Sequence, residues 1–155
     1  MTQEQTTSLM TDQEVYLYAT DFRRAILGDA PSDRMCVAIS APLCSALRVL
    51  EVPVELVQSD FGPFNHVFLD LLDGQFLDPT ADQFNWLNVG AFPAIYVGPP
   101  TLIHRRAKRY EGTRWDDLLS EFKRLQPSFA AIEVGAMVKS VLKTLPPEMI
   151  QWPSA

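Results

Sequence analysis

The sequence predicts an α+β protein, with N-terminal helices packed on a small antiparallel β-sheet and two further helices closing the chain. Three observations carry this expectation. Apolar stripes of helical period occupy both ends of the chain. β-rich segments fill the middle, and an Asp-Gly pair joins two of them as a hairpin. The 155 residues are 47% hydrophobic and 21% charged. That is a globular composition at the length of one domain, so 1–155 reads as a single domain. A chain of this length buries its core without staples.

Residues 1–10, MTQEQTTSLM, are polar and read as a flexible start. Thr11 and Glu14 form a capping box, and Val15, Ala19, Phe22 and Ile26 then recur at helical spacing until Gly28. A second helix is expected from about Met35 to Leu50, with Cys36, Ile39, Leu43, Leu47 and Leu50 as its stripe. Pro42 removes a helical hydrogen bond, so it is expected to kink this helix or displace its start. VPVELVQ (52–58), NHVFLDLL (65–72), QFLD (75–78) and AIYVG (94–98) read as strands, and residues 81–92 as a loop or short helix. Thr113 is the expected cap of a third helix carrying Trp115, Leu118, Leu119, Phe122 and Leu125. A fourth carries Val134, Met137, Val138, Val141, Leu142 and Leu145, and Pro146-Pro147 ends it.

Several function classes are disfavoured. No stretch approaches 18 apolar residues, so no membrane partner is expected. The first residues lack a basic start and an apolar core, so no signal peptide is read. The net charge of −6 argues against nucleic acid. The basic cluster HRRAKRY (104–110) reads as a solvated loop. Cys36 and Cys44 lie about 12 Å apart along one helix, too far for a disulfide. Free thiols fit a cytoplasmic location, although a translocated effector would carry the same features. With no CxxC, HExxH or paired ligand spacing, neither a metal nor a cofactor is expected. The oligomeric state is not legible.

Three residues stand out chemically. Cys36 lies near a helix start, where unpaired N–H groups and the dipole favour a thiolate. The commoner fate of a lone cysteine is as a small buried hydrophobe, and Cys44, inside the helix, is read that way. His66 begins a strand and can accept a thiol proton. Asp78 ends the next strand and can fix an imidazole's tautomer, or merely close a turn before Pro79. His104, among arginines, is given no role.

The hairpin register decides whether His66 and Asp78 can meet. A two-residue Asp73-Gly74 turn sets Leu69 opposite Asp78 and puts His66 and Asp78 on opposite faces. A three-residue loop, Leu72-Asp73-Gly74, sets Phe68 opposite Asp78, and His66 becomes its diagonal neighbour. That loop needs a left-handed residue at its third position, which Gly74 supplies. The expected hairpin over 65–78 is the second, with Gly74 at positive φ and Phe68 opposite Asp78.

CVAISAPLCSALRVLEVPVELVQ followed by NHVFLDLLDGQFLDPTADQF resembles the core of the transglutaminase-like superfamily, within the papain-like cysteine enzymes. The family pattern is a cysteine opening a helix, a histidine in an H-[AV]-[WF]-[LV] strand, and an aspartate in a D-P-T after the next strand. The match covers roughly residues 34–84, about a third of the chain. Pro42 and Phe68, where the family often has tryptophan, depart from the pattern. The resemblance implies a papain-like fold and a Cys36-His66-Asp78 triad of nucleophile, base and orienting acid. It also implies thiol chemistry on an amide or acyl group of a protein or peptide. Members cleave peptides, deamidate glutamine, crosslink glutamine to amines or transfer acyl groups, and some have lost catalysis. The expected activity is therefore a cysteine hydrolase or transferase, foremost a glutamine deamidase or peptidase-like enzyme. The alternative is a non-catalytic protein-binding module on the same fold. Asn65, Gln83 and Trp86 are the candidate substrate-binding residues, from their nearness in sequence to His66 and Asp78.

Overall fold

The first helix, α1 (Asp12–Leu27), opens on the expected capping box. Thr11 Oγ1 accepts from the Glu14 N–H at 3.1 Å, and Glu14 Oε1 accepts from the Thr11 N–H at 2.8 Å. Val15, Ala19, Phe22 and Ile26 are all buried. The computed structural model describes residues 10–61, 64–87, 90–105, 107–110 and 115–144.

The second helix, α2 (Cys36–Val49), begins at Cys36 and runs through Pro42. Pro42 therefore does not displace the helix start. Every residue from Ala38 to Leu47 is buried, and that packing offsets the roughly 3 kcal/mol a proline costs inside a helix. Met35 provides no side-chain cap.

The third helix, α3 (Trp115–Leu125), buries Leu119 but leaves Leu118 and Leu125 exposed, so its apolar stripe is only partly core. The expected cap Thr113 lies outside the described residues. The fourth, α4 (Ala131–Leu142), buries Val134, Val138 and Leu142, while Leu145 falls outside the described residues. It packs closely on α1. A Cβ at Gly135 would stand 2.7 Å from the Ala25 Cβ and 2.8 Å from the Phe22 carbonyl.

Five strands form one antiparallel sheet: β1 (Glu55–Phe61), β2 (Phe64–Asp70), β3 (Phe76–Asp78), β4 (Tyr96–Gly98) and β5 (Lys108–Arg109). Their spatial order is β4-β3-β2-β1-β5. The coarse class is thus α+β with a small antiparallel sheet. Strand alternation divides its side chains between two faces. Leu56, Val67, Leu69 and Leu77 join the helical core. His66, Phe68 and Asp78 take the other face. There Phe84, of the 3₁₀ segment Ala81–Leu87, and His104, of the 3₁₀ turn Leu102–His104, pack against them.

The basic cluster is not a simple solvated loop. His104 is buried, and Lys108 and Arg109 pair with Gln58 and Val57 as an edge strand whose side chains stay exposed. Among the described residues, no helix is long and apolar enough to cross a membrane.

Candidate active site

The β2–β3 hairpin takes the three-residue loop. Leu69 pairs with Leu77 and Asp70 with Phe76, and the Leu71 N–H donates to the Gln75 carbonyl at 3.0 Å. Continuing that register sets Phe68 across from Asp78, with His66 on the diagonal. Gly74 has φ +90, as the loop requires. Leu72 is also left-handed, at φ +63. Two side chains hold this shape: Asp70 Oδ1 accepts from the Leu72 N–H at 2.8 Å, and Asp73 Oδ1 from the Gln75 N–H at 3.0 Å.

His66 and Asp78 are fully buried and joined by a 2.6 Å hydrogen bond from His66 Nε2 to Asp78 Oδ2. A carboxylate that accepts there fixes the ring proton on Nε2. The other ring nitrogen, His66 Nδ1, is the one buried side-chain polar atom among the described residues without a hydrogen-bond partner. Cys36, at the first position of α2, lies near enough to this ring to act on it electrostatically. Burial opposes the imidazolium, but the Asp78 charge and hydrogen bond, with the nearby Cys36 sulfur, outweigh it and push His66 up to about 9. Burial likewise opposes the Asp78 carboxylate. The His66 charge, with hydrogen bonds from His104 and His66, outweighs it and holds the group well below the usual carboxylate range. Cys44 is different: burial pushes its thiol up to about 12.

Sequence reasoning missed three residues. His104 Nε2 reaches the same Asp78 Oδ2 at 2.7 Å. The buried Arg23 donates to the carbonyls of Pro79 at 2.7 Å and Ala94 at 2.6 Å, and forks onto Asp82. Asp82 also accepts from Ser32 Oγ at 2.6 Å. This network pins the turn after Asp78 to α1 and to the segment before α2. The available signal was positional, since Arg23 lies four residues beyond Ala19 on the buried stripe of α1.

The three candidate substrate-binding residues occupy different surroundings. Gln83 accepts from the Arg34 N–H at 3.1 Å and donates to Thr80, bracing the entry to α2. Asn65 is half-buried on β2, opposite Asp60 and on the alternate face from His66. Trp86 is exposed.

His66, Asp78 and His104 present ligand-type atoms within 4.8 Å of one another. A tetrahedral ion with bonds near 2.1 Å would hold its ligand atoms about 3.4 Å apart. The contacts to Asp78 Oδ2, at 2.6 and 2.7 Å, are shorter and are those of charge-assisted hydrogen bonds. The three residues therefore form a hydrogen-bonded chain rather than a preformed metal cage. The chain of 155 residues matches no protein-family model, no curated protein and no solved structure in comparisons with known proteins.

Proposed function

We propose that this protein is a thiol-dependent amide hydrolase or acyl transferase of the transglutaminase-like, papain-like kind, foremost a glutamine deamidase or peptidase-like enzyme. Its catalytic set is Cys36, His66 and Asp78. The observation that carries the reading is the state of the His66 ring: Nε2 is bound to Asp78, Nδ1 is buried without a partner, and Cys36 lies near enough to act on the ring. Catalytic hydrogen bonds are commonly long before substrate binds.

In this reading the proton of Cys36 resides on His66 Nδ1, and Sγ attacks the carbonyl carbon. The Cys36 N–H opens an α2 that has no side-chain cap, so it is available to the developing oxyanion. As the carbon–nitrogen bond breaks, the leaving amine takes the proton back from Nδ1, leaving a thioester. Water or a second amine, deprotonated by His66, then resolves the thioester and restores the thiol.

The non-catalytic binding module draws on one observation, that Cys36 is only 2% exposed. Alkylation with iodoacetamide across pH separates the two. Reaction of Cys36 well below pH 8, abolished in His66→Gln, is expected of the enzyme. A thiol inert at every pH where the fold persists supports the binding module. Cys44, buried and pushed up to about 12, serves as the internal unreactive control.

A further inference from the structure

His104 occupies a built position. Thr101 caps its 3₁₀ turn, and the Thr101 backbone N–H donates to His104 Nδ1 at 3.1 Å, with the Thr101 hydroxyl 2.9 Å from the same atom. A backbone N–H can only donate, so Nδ1 is an acceptor and the ring carries its single proton on Nε2. That proton points at Asp78 Oδ2. Tyr96 stacks on the ring at 5.4 Å and Phe68 meets it edge-on at 4.6 Å, which fixes its plane. Asp78 therefore accepts three donors: His66 and His104 on Oδ2, and the Thr80 N–H on Oδ1 at 3.1 Å.

We propose that His104 is a positioning residue that acts on His66 through Asp78, aligning Oδ2 and drawing off part of its charge. Each neutral N–H given to a buried carboxylate lowers that carboxylate's affinity for protons. The same donation weakens its hold on an imidazolium sharing the oxygen. His104 thus keeps Asp78 ionised as an orienting group while letting His66 release its proton to a leaving amine. The two histidines share the single oxygen Oδ2. The titratable groups facing His66 are Asp78 from β3, Cys36 from α2 and His104 from the 3₁₀ turn. Tyr96 on β4 feels the Asp78 charge, and Tyr110 after β5 feels Cys36. Asp70 and Arg105 line a groove of about 520 Å³ together with His104.

The catalytic meaning rests on the thiol reading above, but the test does not. The chain has two histidines, so in His104→Phe and His104→Gln the imidazole NMR signals belong to His66 alone. His104→Phe removes the donor, and His104→Gln can restore an N–H toward Oδ2. His104→Met, whose flexible side chain fills the same space, replaces the phenylalanine variant if thermal melting shows that variant unfolded. Relative to wild type, the His66 titration is expected to move to higher pH by about half a unit or more in the donor-less variant, and to return towards wild type with glutamine. An unchanged or lowered titration in a folded donor-less variant overturns the proposal. So does a glutamine variant that behaves like phenylalanine. Alkylation of wild-type Cys36 is read separately: an inert thiol sinks the enzyme reading and leaves the coupling of His104 to His66 intact.

Discussion

Arg23 grips Asp82 with two parallel N–H donors, Nη1 to Oδ1 at 2.9 Å and Nη2 to Oδ2 at 2.8 Å. The same guanidinium holds the carbonyl of Pro79, the residue after Asp78. A planar fork satisfies all of these acceptors at once, and an ammonium cannot. Arg23→Lys should therefore behave as a disruptive change, and Arg23→Met should cost about 1.5–3 kcal/mol, the range for hydrogen bonds to charged groups, because Asp82 keeps partial access to water. Urea unfolding at neutral pH measures both. A loss below about 1 kcal/mol would show that the network does not hold the turn.

Asp78→Asn tests the orienting acid. Oδ2 accepts from two imidazole N–H groups, whereas an asparagine offers one oxygen and one NH₂ to the same neighbours. If the oxygen takes the Oδ2 place, the NH₂ opposes the Thr80 N–H; if the NH₂ takes it, both histidines lose their acceptor or change tautomer; either way the negative charge is gone. A comparable change in a serine enzyme lowers turnover by about 10⁴. A thiol ionises more readily, so the expected loss is on the order of 10–10³, with Cys36 alkylation moved to higher pH. Coincident alkylation profiles in wild type and variant would reduce Asp78 to a turn residue before Pro79.

Stability should fall as the solution becomes alkaline. His66 is raised to about 9 in the folded protein, against about 6.5 when unfolded. Between those values the folded state binds more protons, so its contribution is full below about pH 6.5 and disappears as pH rises through about 9. Asp78, held low, contributes above its unfolded value near 3.9 and loses that contribution as pH falls towards its folded value. Melting temperatures of wild type and His66→Gln across pH 6–9 check the first limb. The wild-type curve should slope downward more steeply than the variant's.

Gly135→Ala should destabilise by about 1–3 kcal/mol, as overpacking of a well-filled contact does. The added Cβ meets the Phe22 carbonyl at 2.8 Å, and backbone cannot rotate aside, so α4 must move off α1. Denaturant unfolding would reveal a cost near zero if the two helices slide freely.

The local chemistry of the elements was legible in the sequence, and long-range partnership was not. The Thr11–Glu14 box, the Gly28 stop and the start of α2 near Cys36 follow from neighbours a few residues apart. The His66–Asp78 pair was within reach because twelve residues and one turn separate its members. His104 joins Asp78 across twenty-six residues, and Arg23 joins Asp82 across fifty-nine. No periodicity encodes such distances. The arginines after His104 pointed to solvent, yet Thr101 and the aromatic rings around it settle that ring inside. Pro42 misled in the opposite sense, because burial of its neighbours outweighs a local rule.

The left-handed Leu72 marks a conflict between local preference and global fit. Asp73-Gly74 by itself favours a two-residue turn, with Leu72 facing Gln75 and Asp78 rotated towards the helical core. The native hairpin adopts the other alignment and leaves an exposed leucine at φ +63, a conformation costing about 1–2 kcal/mol. This is local frustration beside the candidate site, where consistency between levels of structure is commonly given up. Excising Leu72 would resolve it. Leu71 would still face Gln75, now across an Asp-Gly turn of the favoured type, and Asp78 would keep its place beside His66. A shortened chain that melts higher than the parent, with its imidazole titration preserved, is the expected signature of a hairpin one residue longer than its own turn prefers.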